Sequence, residues 1–159
     1  MNWISLPLVT PLAISVLVHV FLIAYLWRSR TLPGSKPFIV LAIAAIWWLL
    51  AYSLSILLVD PAAKLLWNKL QYIGVVIVPT AWLIFVIHYT GHSQRLSWPV
   101  YLLLSIEPLV TLALVWTNDQ HHWYWTNLTL VNEGIAHVIH AEYGPARWFH
   151  AIYTYGVVL

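Results

Sequence analysis

The sequence predicts an all-α membrane protein, a bundle of five transmembrane helices with a short β-hairpin on one side. Three observations carry this. Apolar residues make up 62% of the 159 and charged residues 8%, far below the roughly 25% a soluble domain uses to cover its surface. The apolar residues fall in five continuous runs without alternation, which favours helices over barrel strands. In hydrocarbon, only helices and closed barrels satisfy their own backbone polar groups. The whole chain reads as one membrane unit, 1–159, with no room for a second soluble domain.

The first helix is expected at about 6–27. It has no positive segment before it and no small-residue cleavage site after it, so it reads as a retained helix and not a signal peptide. A turn follows at 28–37, carrying Arg28, Arg30 and Lys36 and no acid, with Pro33-Gly34 as breakers. The second helix covers about 38–59. Asp60-Pro61 marks the next turn, with Asp60 suited to cap the helix behind it, and the third helix is placed at about 65–90. The loop 91–97 is again basic, through Arg95. The fourth helix covers about 98–117. Pro79 and Pro108 fall inside the third and fourth helices and predict kinks there. The one long polar segment is 118–143. In it, aromatic and β-branched residues flank Asn132-Glu133-Gly134, the signature of a hairpin. A fifth helix is expected over 145–159. Its apolar run, 146–159, reads as a helix cut off partway across the membrane.

Of the eleven Trp, eight sit at or just beyond the ends of the runs, as interfacial anchors do. Trp47, Trp48 and Trp82 lie within runs and read as packing residues. The two basic loops share one side if every run spans, and basic loops mark the cytoplasm. The N-terminus and the hairpin are therefore expected outside. The net charge of +2, with no dense basic stretch, gives no footing for nucleic acid. The absence of Cys excludes disulfides, thiol catalysis and iron–sulfur clusters.

Glu107 is the sharpest single residue. An acid near mid-membrane is costly and should face the bundle interior with a partner. Counting 1.5 Å per residue along opposed helices, His19 comes within roughly 4 Å of its depth, and a Glu107–His19 contact is expected. Tyr52, Gln71, Tyr72, Trp82, Glu107 and Tyr153, with Tyr155, Ser53 and Ser55, could line an amphipathic pocket opening toward the hairpin. Asn118 and His121 are candidates for the mouth of the bundle, Asn118 as the cap of the fourth helix. His137 and His140 are weak metal candidates, because residues three apart do not share a strand face. His88 and His92, four apart on a helix, are a second weak pair. No cofactor is expected.

Several segments together resemble the N-terminal seven-transmembrane sensor region of bacterial histidine kinases. They are Ile46-Trp47 with Tyr52, Trp67-Asn68-Lys69-Leu70-Gln71-Tyr72-Ile73-Gly74, Pro79 with Trp82, and Phe85 with Tyr89-Thr90-Gly91. Pro108, Thr117-Asn118 with His121, and Gly144-Pro145 with Trp148-Phe149, Tyr153 and Tyr155 complete the set. The resemblance covers essentially the whole chain. It implies a non-catalytic sensory input module in a bacterial inner membrane, passing an extracellular or membrane-soluble signal to a cytoplasmic effector. It also implies a seven-helix bundle of which five helices are visible, the last interrupted. The partners expected are the lipid bilayer, a small ligand of unknown identity, and a second copy joined through a cytoplasmic region absent here. No phosphoacceptor region or ATP-binding motif is present. The rival expectation is a non-catalytic accessory subunit of a larger membrane complex.

Overall fold

The computed structural model describes residues 6–133 and 136–158, with the side chains at 130 and 132–138 outside the description. In chain order the elements are α1 (Leu6–Arg28), α2 (Ser35–Leu57), α3 (Pro61–Tyr89), a 3₁₀ turn at Ser93–Arg95, α4 (Trp98–Trp116), the single turn α5 (Asn118–His121), the strands β1 (Trp125–Glu133) and β2 (Ala136–Tyr143), and α6 (Ala146–Val158). Among the described residues, α1, α2, α3 and α4 are long and apolar enough to cross a membrane. α6 covers 13 residues, about 20 Å at 1.5 Å per residue.

α3 is the centre of the bundle. It packs along α2 on one side and against α4 and α6 on the other, while α1 lies outermost against α2. No described residue of α1 is buried, and large apolar side chains such as Leu17 and Phe21 point away from the protein. Such a surface suits lipid and would be a liability in water. The polar groups of α1 turn back on their own helix. Thr10 donates to the carbonyl of Leu6 and Ser15 to that of Pro11, and His19 Nδ1 lies 2.7 Å from the Ser15 carbonyl oxygen. Hydrocarbon offers them no other partner.

The contact of α2 with α3 is close because small residues line it. Ala42, Ala44 and Ala51 are buried in α2. At Gly74 of α3 a Cβ would come within 2.5 Å of the Ala44 carbonyl oxygen and 2.9 Å of the Trp48 nitrogen, so only glycine lets the two backbones approach so nearly. Trp47 fixes the same seam by donating from its indole nitrogen to the Leu70 carbonyl at 2.9 Å.

Element ends follow local chemistry. α2 starts at Ser35, three residues before the expected 38. Gly34, at φ +82, turns the chain, and Ser35 Oγ donates to the Ser29 carbonyl. α3 starts at Pro61, four residues before the expected 65. Asp60 accepts the Ala63 N–H at 2.7 Å as its N-cap, with Pro61 in the first helical position that suits it. Lys64 then reaches back, fully buried, and donates to the last carbonyls of α2, Ser55 at 2.6 Å and Ile56 at 3.2 Å. A cation at the C-terminal end of a helix completes its orphan acceptors and opposes its dipole.

The hairpin is antiparallel, with Leu128 opposite Ala141, Asn132 opposite His137 and Glu133 opposite Ala136. Asn132 and Glu133, expected in the turn, are therefore paired in the ladder. Only 134 and 135 separate the strands, and both lie outside the described residues. A register irregularity between Trp125 and Asn127 bends the strand at its base. The base docks onto the bundle through Tyr72, Val115, Tyr124, Trp125 and Ala146. The rings of Tyr72, Tyr124 and Trp125 meet edge-on, with centroids 5.3 to 5.4 Å apart in all three pairs.

Candidate functional site

The site forms where the hairpin base meets α1, α2, α3 and α6. Asn118 builds its roof. In place of capping α4, as expected, it is buried under the hairpin. Its Oδ1 accepts the N–H groups of Tyr124 and Trp125, both at 3.0 Å, and its Nδ2 donates to the Trp125 carbonyl at 3.0 Å. The end of α4 is closed by Thr117, whose hydroxyl donates to the Ala113 carbonyl. Capping needs only a short hydroxyl, whereas holding two successive amides and a carbonyl needs an amide side chain with both an acceptor and a donor.

His121 completes the roof. The Trp123 N–H donates to its Nδ1 at 3.0 Å, so the ring proton is on Nε2, which lies 3.1 Å from the Thr117 hydroxyl oxygen. With Thr117 donating onward to Ala113, the bonds form one directed chain from hairpin to α4. Lys69 of α3 ties in the same turn through an ion pair of 2.7 Å with Asp119.

Beneath this roof lies a cavity of about 580 Å³, within the usual range of about 300–1,000 Å³ for small-molecule sites. Leu12 of α1, Trp48 and Tyr52 of α2, and Gln71 and Tyr72 of α3 line one half. Tyr124, Tyr143, Arg147, His150 and Thr154 line the other, with Ala151 and Tyr155. A smaller chamber of about 380 Å³ continues toward His140 and Asn68. Tyr52, Gln71, Tyr72 and Tyr143 line both and form the partition between them. The Arg147 guanidinium lies over the Tyr143 ring, 4.6 Å from its centroid. Tyr124 is wholly buried, and its hydroxyl has no hydrogen-bond partner among the described residues. Burial, reinforced by the nearby Tyr72, pushes this phenol far above its ordinary range, so it remains a protonated donor.

Glu107 stands directly behind the cavity wall. Its Oε1 is 2.8 Å from His150 Nδ1 and accepts from the Thr111 hydroxyl at 2.7 Å, while its buried Oε2 has no partner among the described residues. The expected contact with His19 is therefore corrected: the partner is His150. α1 packs against α2, and α4 against α3 and α6, so α1 and α4 are not neighbours. One face of His150 thus meets the cavity and the other holds the acid that precedes Pro108.

Of the sequence candidates, the fold brings Tyr52, Gln71 and Tyr72 to the cavity, with Tyr155, and Glu107 to its second layer. It does not bring in Trp82, which packs against Phe85 with centroids 5.7 Å apart, away from the roof. Nor does it bring in Tyr153, which shares a 2.8 Å hydrogen bond with Thr80 and donates to the Leu104 carbonyl at 3.2 Å. That tyrosine ties α6 to α3 and α4. His19 stays on its own helix. His140 reaches the smaller chamber, and the side chain of His137 lies outside the described residues. Among the described residues no three of His, Cys, Asp and Glu gather as a metal site would require; His92 Nδ1 faces the Thr90 hydroxyl at 3.2 Å.

Tyr124, Tyr143, Arg147, His150 and Thr154 were not recognised as pocket residues from the sequence. For the last three a signal existed. Residues 147, 150, 151, 154 and 155 follow the spacing of one helix face, and polar residues on one stripe of an apolar helix point inward. Tyr124 and Tyr143 reach the cavity only because the hairpin folds down onto the bundle.

A family model described as the N-terminal 7TM region of histidine kinase matches residues 11–159. No match was found among curated proteins or solved structures.

Proposed function

Because the chain belongs to the family of N-terminal seven-transmembrane regions of histidine kinases, we propose that it is the sensory input region of a bacterial signalling kinase and that the cavity under the hairpin receives the signal as a small molecule. The observation that carries this reading is the cavity itself, set between the hairpin base and four helices and lined by both apolar side chains and the polar groups of Gln71, Arg147 and His150.

The proposed mechanism runs through His150. An occupant that touches the ring shifts its bond to Glu107, and Glu107 sits one residue before Pro108, the proline inside α4. Two packings of α4 against α6 are then biased by occupancy, to the extent that the ligand binds one better than the other. The inner-membrane placement, with the hairpin outside and the basic turns inside, belongs to the same proposal and is supported by the basic residues of the turns at 28–37 and 91–97. A cytoplasmic effector and a dimeric full-length protein are also part of it.

The test is phosphorylation. The full-length protein, purified into nanodiscs and given labelled ATP, is expected to incorporate phosphate on histidine, and Glu107→Gln is expected to change the rate by several-fold. A protein that takes up no phosphate overturns the kinase reading and favours the accessory subunit.

A further inference from the structure

We infer that the cavity takes a small monoanion, a carboxylate carried on an apolar body, with Arg147 as its charge partner. This rests on the proposed reading of the cavity as the signal site and adds the chemistry of the signal.

The wall sets the charge. Among the described residues no Asp or Glu lines the cavity. Arg147 has no carboxylate partner among the described residues and is held by its stacking on Tyr143, which leaves the fork of guanidinium N–H groups for an occupant. A planar fork matches a carboxylate in two parallel hydrogen bonds. His150 lines the cavity too, but its Nδ1 is already committed to Glu107. Among the described residues lining the cavity Arg147 is the one cation without an acidic partner; it fits one negative charge, and a dianion would keep an unpaired charge.

The remaining groups set the shape. The Tyr124 ring adds an aromatic wall, while its hydroxyl is buried against Tyr72. Leu12, Trp48, Leu49 and Val75 give an apolar end that favours an aromatic ring or a short alkyl chain. A cationic ligand meets Arg147 and, among the described residues, no lining carboxylate. Such an acid can arrive from water or from the bilayer, and chain length separates the two sources.

The test uses the full-length protein in zwitterionic nanodiscs, with thermal stabilisation measured against phenylacetate, phenylacetamide and phenethylamine, and against the alkyl acids from hexanoate to laurate. The acids are expected to bind at least tenfold more tightly than the amide, and the amine not at all. Affinity peaking at hexanoate or phenylacetate marks a water-borne ligand, and affinity rising to laurate one drawn from the bilayer. Arg147→Gln is expected to erase the preference for acid over amide, and Arg147→Lys to keep part of it. The inference is overturned if the amide or amine binds as well as the acids, or if Arg147→Gln leaves acid affinity intact. In either case binding itself upholds the cavity as a ligand site. If no compound binds and filling the cavity with Ala151→Trp leaves kinase output unchanged, both the inference and the sensory reading fall.

Discussion

At the scale of single residues, Asn118 does more than any other side chain to hold the site. It occupies two backbone donors and one acceptor in a buried position. Asn118→Ala is expected to lower stability by about 2–4 kcal/mol, since buried amides left unpaired cost about 1–3 kcal/mol each. Thermal unfolding in detergent measures this, and Asn118→Asp should lie between, because it keeps the acceptor and loses the donor. The sequence marked Asn118 and His121 as a unit at the mouth of the bundle, but only the folded hairpin shows what they hold. Glu107 was legible as an acid in need of a partner, and the partner was misread for a geometric reason. Glu107 lies nine residues, about 13.5 Å, before the end of α4, while His150 lies four residues, about 6 Å, into α6. Their contact means that α6 begins well below the level where α4 ends. The hairpin base fills the difference, and no depth count along the sequence includes it.

At the scale of elements, the seam between α2 and α3 is the tightest in the bundle and was the least visible in advance. Glycine in a membrane helix has many uses, and nothing near Gly74 in the sequence says that the Ala44 carbonyl lies against it. Gly74→Ala forces backbone apart from backbone, because the contacts a Cβ would make include main-chain atoms of Ala44 and Trp48. A loss of about 1–3 kcal/mol is expected, with the α2 and α3 amides around it exchanging faster in deuterium-exchange measurements. The existence of the first four helices and the hairpin was legible, because each run is continuous and long enough to span. Their ends were less so. Asp60 reads as a cap, yet the apolar run behind it begins only after Lys64, and it took the buried ammonium on the end of α2 to explain why a lysine belongs in the first turn of a membrane helix.

At the scale of the whole molecule, the protein separates an amphipathic cavity at the hairpin end from basic turns at the other. The lack of any Cys makes the proposed orientation simple to check. A membrane-impermeant maleimide applied to intact cells is expected to label Thr126→Cys and to leave Ser93→Cys unlabelled until the membrane is opened; the reverse pattern would invert the topology. The claim on which the account turns is that the cavity controls signalling output. Ala151 lines the cavity, and its neighbour Ile152 does not and is 70% exposed. The measurement is the autophosphorylation rate of the full-length protein in nanodiscs, comparing Ala151→Trp with Ile152→Trp. The account predicts that filling the cavity shifts the rate by several-fold while the outward substitution leaves it unchanged. An Ala151→Trp protein that folds with wild-type thermal stability and phosphorylates itself at the wild-type rate would contradict it.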